Sequence, residues 1–270
     1  MQKIETSNKS LYEVQAYNDA ANTANGMHRD EIARRHGFEG ALVPGATLFG
    51  HMSYLPVRDE GTAWMTNNRI EVRFIAPAYD GEVLTIEHER RSAGGETLCL
   101  AVTKKVLARM QHTHATGFEP ADTLKTAQAS PSNERIDLQR ESLTIGAPLA
   151  SGHFVTDASA NRDAASRIED DLDLYREEEP PIHPLVLLQE CNSAFARACL
   201  VPVWIHVGSN ITWHEPILTG ERVDVRIVPT ANWDKRGHRF ATFYIAFLVG
   251  ENLRAEVDHT LIYRVGAGSP

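Results

Sequence analysis

One turn occurs twice, and its spacing constrains the fold more than any other feature of the chain. Arg73–Glu82 reads RFIAPAYDGE and Thr212–Glu221 reads TWHEPILTGE. Each has an aromatic residue, a proline three positions later, then Gly-Glu after three more. Pro77 and Pro216 are 139 positions apart, and so are Gly81 and Gly220. A strand that stops at proline, turns on glycine and starts again is a local antiparallel unit. Its recurrence predicts two diverged copies of one fold within 270 residues.

The flanking segments repeat as well. Upstream of each turn lies a helix candidate, Gly45–Leu55 and Pro184–Leu200. The second is apolar or small all round and is expected to be buried on most sides. Downstream, EVLTIEHERR and ETLCLAVTKKV flank a Gly94-Gly95 turn, and RVDVRIVPTANW, RFATFYIAFLV and LRAEVDHTLIYRV follow in the second copy. Each copy thus runs strand, short helices, central helix, antiparallel meander. This is an α+β arrangement, with a curved antiparallel sheet wrapped around a central helix. Residues 111–141 are polar, carry two prolines and lack apolar periodicity, so they read as a linker. The expected boundaries are 1–110, 111–141 and 142–270.

Composition narrows the function. The formal charge is −9, with 27 basic against 36 acidic residues, which speaks against nucleic acid as a partner. No apolar run approaches the roughly 20 residues of a membrane span, so no membrane partner is expected. The first residues hold no apolar signal region. Three cysteines, Cys99, Cys191 and Cys199, lack metal-type spacing and fit a reduced, cytoplasmic setting.

The segment NGMHRDEIARRHGFEGALVPG, Asn25–Gly45, resembles the MaoC-like acyl dehydratases, the R-specific enoyl-CoA hydratase (hydratase-2) group with the hotdog fold. Asn25, Met27, His28, Asp30, Ala33, Gly37, Phe38 and Gly45 follow that family's order, and the Pro77–Gly81 turn matches its strand-turn signature. The resemblance covers most of both halves outside the linker and implies two tandem hotdog folds. It implies an acyl thioester substrate, on CoA or a carrier protein, and hydration of an enoyl group or dehydration of a 3-hydroxyacyl group. It implies no cofactor and a homo-oligomer. In the family an Asp and a His hold the water, and the Gly opening the central helix donates its N–H to the thioester carbonyl. Here His28 takes the His position, Gly45 the Gly position, and Thr23 stands where the Asp would be. Pro44 replaces the family's His. The second half is complementary: DDLDLY puts Asp170 at the Asp position and Tyr175 at the His position, and IHP puts His183 beside the helix start.

Residue chemistry supplies roles and rival roles. An imidazole gives and takes protons near neutral pH, so His28 is the catalytic candidate; the plain alternative makes it the start of a helix. Asn25 either caps that helix or assists catalysis, and the Thr23 hydroxyl can hold a water. Thr47 and His51, one turn apart past Gly45, are candidate acyl-pocket residues. Gln189 and Asn192 on the second central helix are expected to be structural. His112 and His114 have metal-like spacing, but no third ligand is evident, so no metal site is expected. Asp170, Asp171 and Asp173 lack the glycine and distal glutamate of a calcium loop. Two rival functions stay open. One is a hotdog thioesterase or other lyase using Glu190 on the second central helix. The other is a non-catalytic paralogue that binds an acyl ligand or stabilises a partner.

Overall fold

The computed structural model describes residues 4–6, 8–130, 134–139, 141 and 143–266. In the first half, β1 (Ile4–Thr6) and β2 (Lys9–Gln15) precede α1 (Asp30–Arg35) and α2 (Gly45–Glu60). Then come β3 (Asn68–Phe74), β4 (Val83–Arg91), β5 (Gly94–Ala101) and β6 (Val106–His114). In the second half β7 (Ile136–Asp137), β8 (Gly152–Phe154) and α3 (Ala158–Arg167) precede α4 (Pro184–Ala198). The chain continues with β9 (Cys199–Leu200), β10 (Ile205–Trp213), β11 (Val223–Lys235), β12 (His238–Val249) and β13 (Asn252–Arg264).

Eleven of these strands form one sheet, in the order β1-β2-β4-β5-β6-β3-β10-β13-β12-β11-β8. The two half-sheets meet at β3 and β10, which pair antiparallel from Gly208 opposite Arg73 to Trp213 opposite Asn68. Alternation sets the inner face: Asn68, Ile70 and Val72 are buried, and Arg69 and Glu71 are exposed. The helices α2 and α4 pack against each other and against the sheet. Phe49, Met52, Leu55, Leu185, Leu188 and Phe195 fill the core between them.

The repeat holds at atomic detail. The helices α2 and α4 begin 139 residues apart. The bridge between Leu42 and Tyr79 recurs between Pro181 and Leu218, again at that offset. Gly81 and Gly220 both have positive φ, 77° and 84°, where a side chain would be strained. The glutamate after each closes its own turn: Glu82 accepts from Tyr79 N–H at 3.2 Å, and Glu221 from Leu218 N–H at 2.8 Å.

Several boundaries differ from expectation. The helix α2 continues past Leu55 and through Pro56 to Glu60. Proline removes one helical N–H, but Leu55, Pro56 and Val57 are all buried and hold that turn by packing. The segment ETLCLAVTKKV is not one strand. It breaks after Ala101 at a turn in which Lys104 takes φ 65°. The last strand of the first half is β6, which runs into the segment read as linker: residues 111–114 pair with β3 through His114. Beyond it, the polar connection docks rather than hanging free. A short 3-10 turn at Asp122–Lys125 leads to Ala127, which is buried against Val228, Tyr244, Ala246 and Leu248 on the outer face of the second half-sheet.

Candidate functional site

A cavity of about 320 Å³ opens between the halves. The first half lines it with Asp19, Thr23, Asn25, His28, Pro44 and Ala46. The second lines it with Gln189, Glu190, Asn192 and Trp204.

His28 ends a 3-10 turn, Gly26–His28, whose N-cap is Asn25. The Asn25 Oδ1 accepts from Met27 N–H at 3.1 Å and from Trp204 N–H at 3.2 Å. Its Nδ2 donates to the Trp204 carbonyl at 2.9 Å and lies 3.2 Å from His28 Nε2. Asn25 therefore fastens the His28 turn to the second half, and its structural role is the larger one. An amide N–H facing Nε2 makes that nitrogen the acceptor, so the His28 proton sits on Nδ1, 2.7 Å from the Leu42 carbonyl. Burial pushes the His28 pKa below 6.5; the Leu42 carbonyl and the Asp19 charge partly oppose this. His28 is thus a neutral imidazole with its lone pair on Nε2.

Sequence reasoning missed Asp19. It lies on the loop after β2, nine residues before His28 rather than five. Its carboxylate accepts from the Thr47 hydroxyl at 2.7 Å and from Gln189 Nε2 at 2.8 Å. Thr47, expected in an acyl pocket, instead orients this carboxylate. Thr23 is exposed at the cavity rim and donates its hydroxyl to the Ala20 carbonyl at 2.8 Å. Glu190 faces the same cavity from α4. Burial raises its pKa, and Arg197 at 4.0 Å partly offsets that. Both shifts favour the uncharged forms, a neutral imidazole on one wall and a neutral carboxyl on another.

Gly45 lines a different cavity, of about 260 Å³, with Leu42, Leu48, Phe74 and His206. A Cβ at Gly45 would lie 2.8 Å from Phe74 Cε2 and 2.9 Å from His206 Nδ1. Close packing of the sheet against the helix start accounts for the glycine. The expectation that Gly45 and His28 face one substrate therefore fails to appear as a shared cavity. Ala46, the next residue of α2, does line the His28 cavity. Pro44, the N-cap, offers no side-chain acceptor to the first-turn amides.

The second half-site is sealed. His183 Nε2 lies 3.0 Å from Asp170 Oδ2, with side-chain exposures of 0% and 1%. The His183 Nδ1 accepts from Leu185 N–H at 3.1 Å and so caps α4. Tyr175 packs against His183 with ring centroids 4.7 Å apart and planes tilted by 48°. The core of this half does contain a hydrogen-bonded Asp–His pair. It is Asp170 with His183, and its place in the core makes it a helix cap rather than a water-binding site. His51 is also in this core, not in a pocket. Both its ring nitrogens are buried without partners, and burial lowers its pKa to about 4.

This arrangement of two half-sheets around two central helices is the double hotdog fold. It is the fold of the MaoC-like dehydratases. A MaoC-domain dehydratase from Chloroflexus aurantiacus superposes with TM-score 0.59 at 10% identity, covering 98% of this chain and 95% of that one. The dehydratase domain of PpsC from Mycobacterium tuberculosis, solved in complex with C12:1-CoA, gives 0.59 at 12% identity, covering 97% of each chain. A conserved double-hotdog protein from Mycobacterium tuberculosis, essential for bacterial survival during infection, gives 0.58 at 11% identity, covering 95% of this chain and 96% of that one. No protein-family model and no curated protein sequence matches the chain. Among the described residues no helix is long and apolar enough to cross a membrane.

Proposed function

We propose that the chain hydrates enoyl thioesters, or dehydrates 3-hydroxyacyl thioesters, in the cavity between its halves. The observation that carries this reading is the placement of neutral His28, ionisable Asp19 and Glu190 around that one cavity. In the dehydration direction, His28 Nε2 takes the proton from Cα, its ring tilting off the fixed Asn25 N–H while Nδ1 stays at the Leu42 carbonyl. The Cα–H electron pair forms the double bond, and the Cβ–O bond breaks. Glu190, in its neutral form, gives its proton to the leaving hydroxyl, which departs as water. Hydration runs the same steps backward: Glu190 takes a proton from water as oxygen adds to Cβ, and protonated His28 returns a proton to Cα. Asp19 stabilises the imidazolium across the cavity. Ala46, in the first turn of α2 and on the wall of this cavity, supplies an N–H to the enolate oxygen. That a solved double hotdog carries C12:1-CoA supports a thioester ligand.

The test is an assay with short- and medium-chain enoyl-CoA and 3-hydroxyacyl-CoA. Turnover that His28→Ala abolishes supports the reading. No turnover with any of them, and an unchanged His28→Ala variant, sinks it. A second reading rests on Glu190 alone: as general base it would drive water onto the thioester carbonyl carbon, and the thiol would leave with a proton. Release of free thiol, abolished by Glu190→Gln but not by His28→Ala, would favour hydrolysis.

A further inference from the structure

The far end of α2 carries a second cluster of chemistry-bearing groups, well away from the cavity. Fifteen residues separate Gly45 from Glu60, roughly 22 Å along a helix. There the Glu60 carboxylate meets two histidines from β6. His112 Nε2 lies 3.2 Å from Glu60 Oε1, and His114 Nε2 lies 2.6 Å from Glu60 Oε2. The ligand-type atoms of the three residues all lie within 4.8 Å of one another. Positions 112 and 114 are two apart on a strand, so both rings stand on the same face. The extra turn of α2 beyond Pro56 is what brings Glu60 to them.

The surroundings are shaped for these rings. His88 of β4 stacks on His112 with centroids 5.7 Å apart and planes 16° apart. Both rings lie over Gly95, where a Cβ would come within 2.5 Å of His88 Cε1 and 2.8 Å of His112 Cε1. A buried ring nitrogen on each, His88 Nε2 and His112 Nδ1, has no hydrogen-bond partner. Access exists on one side: the His114 side chain is 28% exposed, and that of His112 is fully buried.

We propose that Glu60, His112 and His114 bind a divalent transition-metal ion of the zinc type. Two imidazole nitrogens and one carboxylate oxygen are a donor set this ion favours over calcium or magnesium, which take oxygen. Bonds of about 2.0–2.2 Å in a tetrahedron put ligand atoms roughly 3.3 Å apart. The two imidazole nitrogens meet different oxygens of Glu60, at 3.2 Å and 2.6 Å, and ligand atoms now within 4.8 Å of one another close in around the ion when it binds. A water entering beside His114 completes the fourth position. The ion would tie the end of the first central helix to the last strand of its own half. This inference does not rest on the thioester chemistry and stands or falls separately.

The experiment uses the full chain, stripped with a chelator and dialysed against Zn²⁺ alone. One tightly held ion per chain is expected, with affinity lowered at least tenfold in His114→Ala and in Glu60→Gln. Co²⁺ substitution should give the intense visible bands of a tetrahedral site in the wild type and not in His114→Ala. Circular dichroism of the metal-free variants checks that they fold; His114→Ala, at a partly exposed position, decides the matter should Glu60→Gln unfold. No zinc retained by the wild type, or equal retention by a folded His114→Ala, overturns the proposal.

Discussion

Gln189 Nε2 lies 2.8 Å from Asp19 Oδ2, although 170 residues separate them in the chain. The contact crosses from α4 of the second half to the loop after β2 of the first, so the cavity's carboxylate is oriented by both halves at once. Removing the charge while keeping the shape isolates its electrostatic part. Asp19→Asn should lower kcat with enoyl or 3-hydroxyacyl thioesters by roughly a hundredfold with little change in KM. Gln189→Ala frees one oxygen and should lower kcat less. Steady-state kinetics on both variants measures the difference.

The pH profile follows from two opposite shifts. Dehydration needs His28 unprotonated, and burial places its pKa below 6.5. It needs Glu190 protonated, and burial places its pKa above 4.5. Activity should therefore rise with pH as His28 loses its proton and fall as Glu190 loses its own. A kcat/KM profile whose acid limb lies above 6.5 would contradict the His28 assignment.

Stability carries its own pH dependence. His51 has a folded pKa of about 4 because it is buried beside His183. Its unfolded value is about 6.5. The unfolded chain binds the extra proton first as pH falls, so stability is full above about 6.5 and declines between about 6.5 and 4. The two values differ by an amount worth on the order of 3 kcal/mol. Urea unfolding at pH 7.5 and pH 5 should show about 2 kcal/mol of this loss, and a His51→Leu variant should show less of it.

Gly45 tests packing against catalysis. Gly45→Ala puts a Cβ into Phe74 and His206, which should cost about 1–3 kcal/mol of stability. Denaturant unfolding measures it. An alanine that leaves stability unchanged but abolishes turnover would instead assign Gly45 to the substrate.

The sequence carried the architecture well because the repeat is written in residues with local meaning. Prolines and glycines that end strands and take positive φ are legible one at a time, and Pro77–Gly81 with Pro216–Gly220 marked both halves. His28 and Asn25 were legible from the pattern around them. Asp19 was not, because it stands on an irregular loop and becomes a site residue only through Thr47 and Gln189. Glu60 was hidden for a related reason. The helix expected over Gly45–Leu55 stops short of Glu60, and the polar β6 residues near His112 looked like linker, so neither partner pointed to the other. His183 read as a helix-start residue, and only the three-dimensional contact with Asp170 shows what holds it.

The seam between β3 and β10 has a consequence for how the molecule is kept in one piece. Six residue pairs join the halves edge to edge, and the connecting segment around Ala121–Ala127 lies on the outer face of the second half-sheet. The covalent connection then acts as a tether that raises local concentration, and the interface itself supplies the cohesion. A chain cleaved within the connection should still migrate as a single particle on a sizing column. Two separately produced halves should find each other, since each leaves a strand edge seeking a partner.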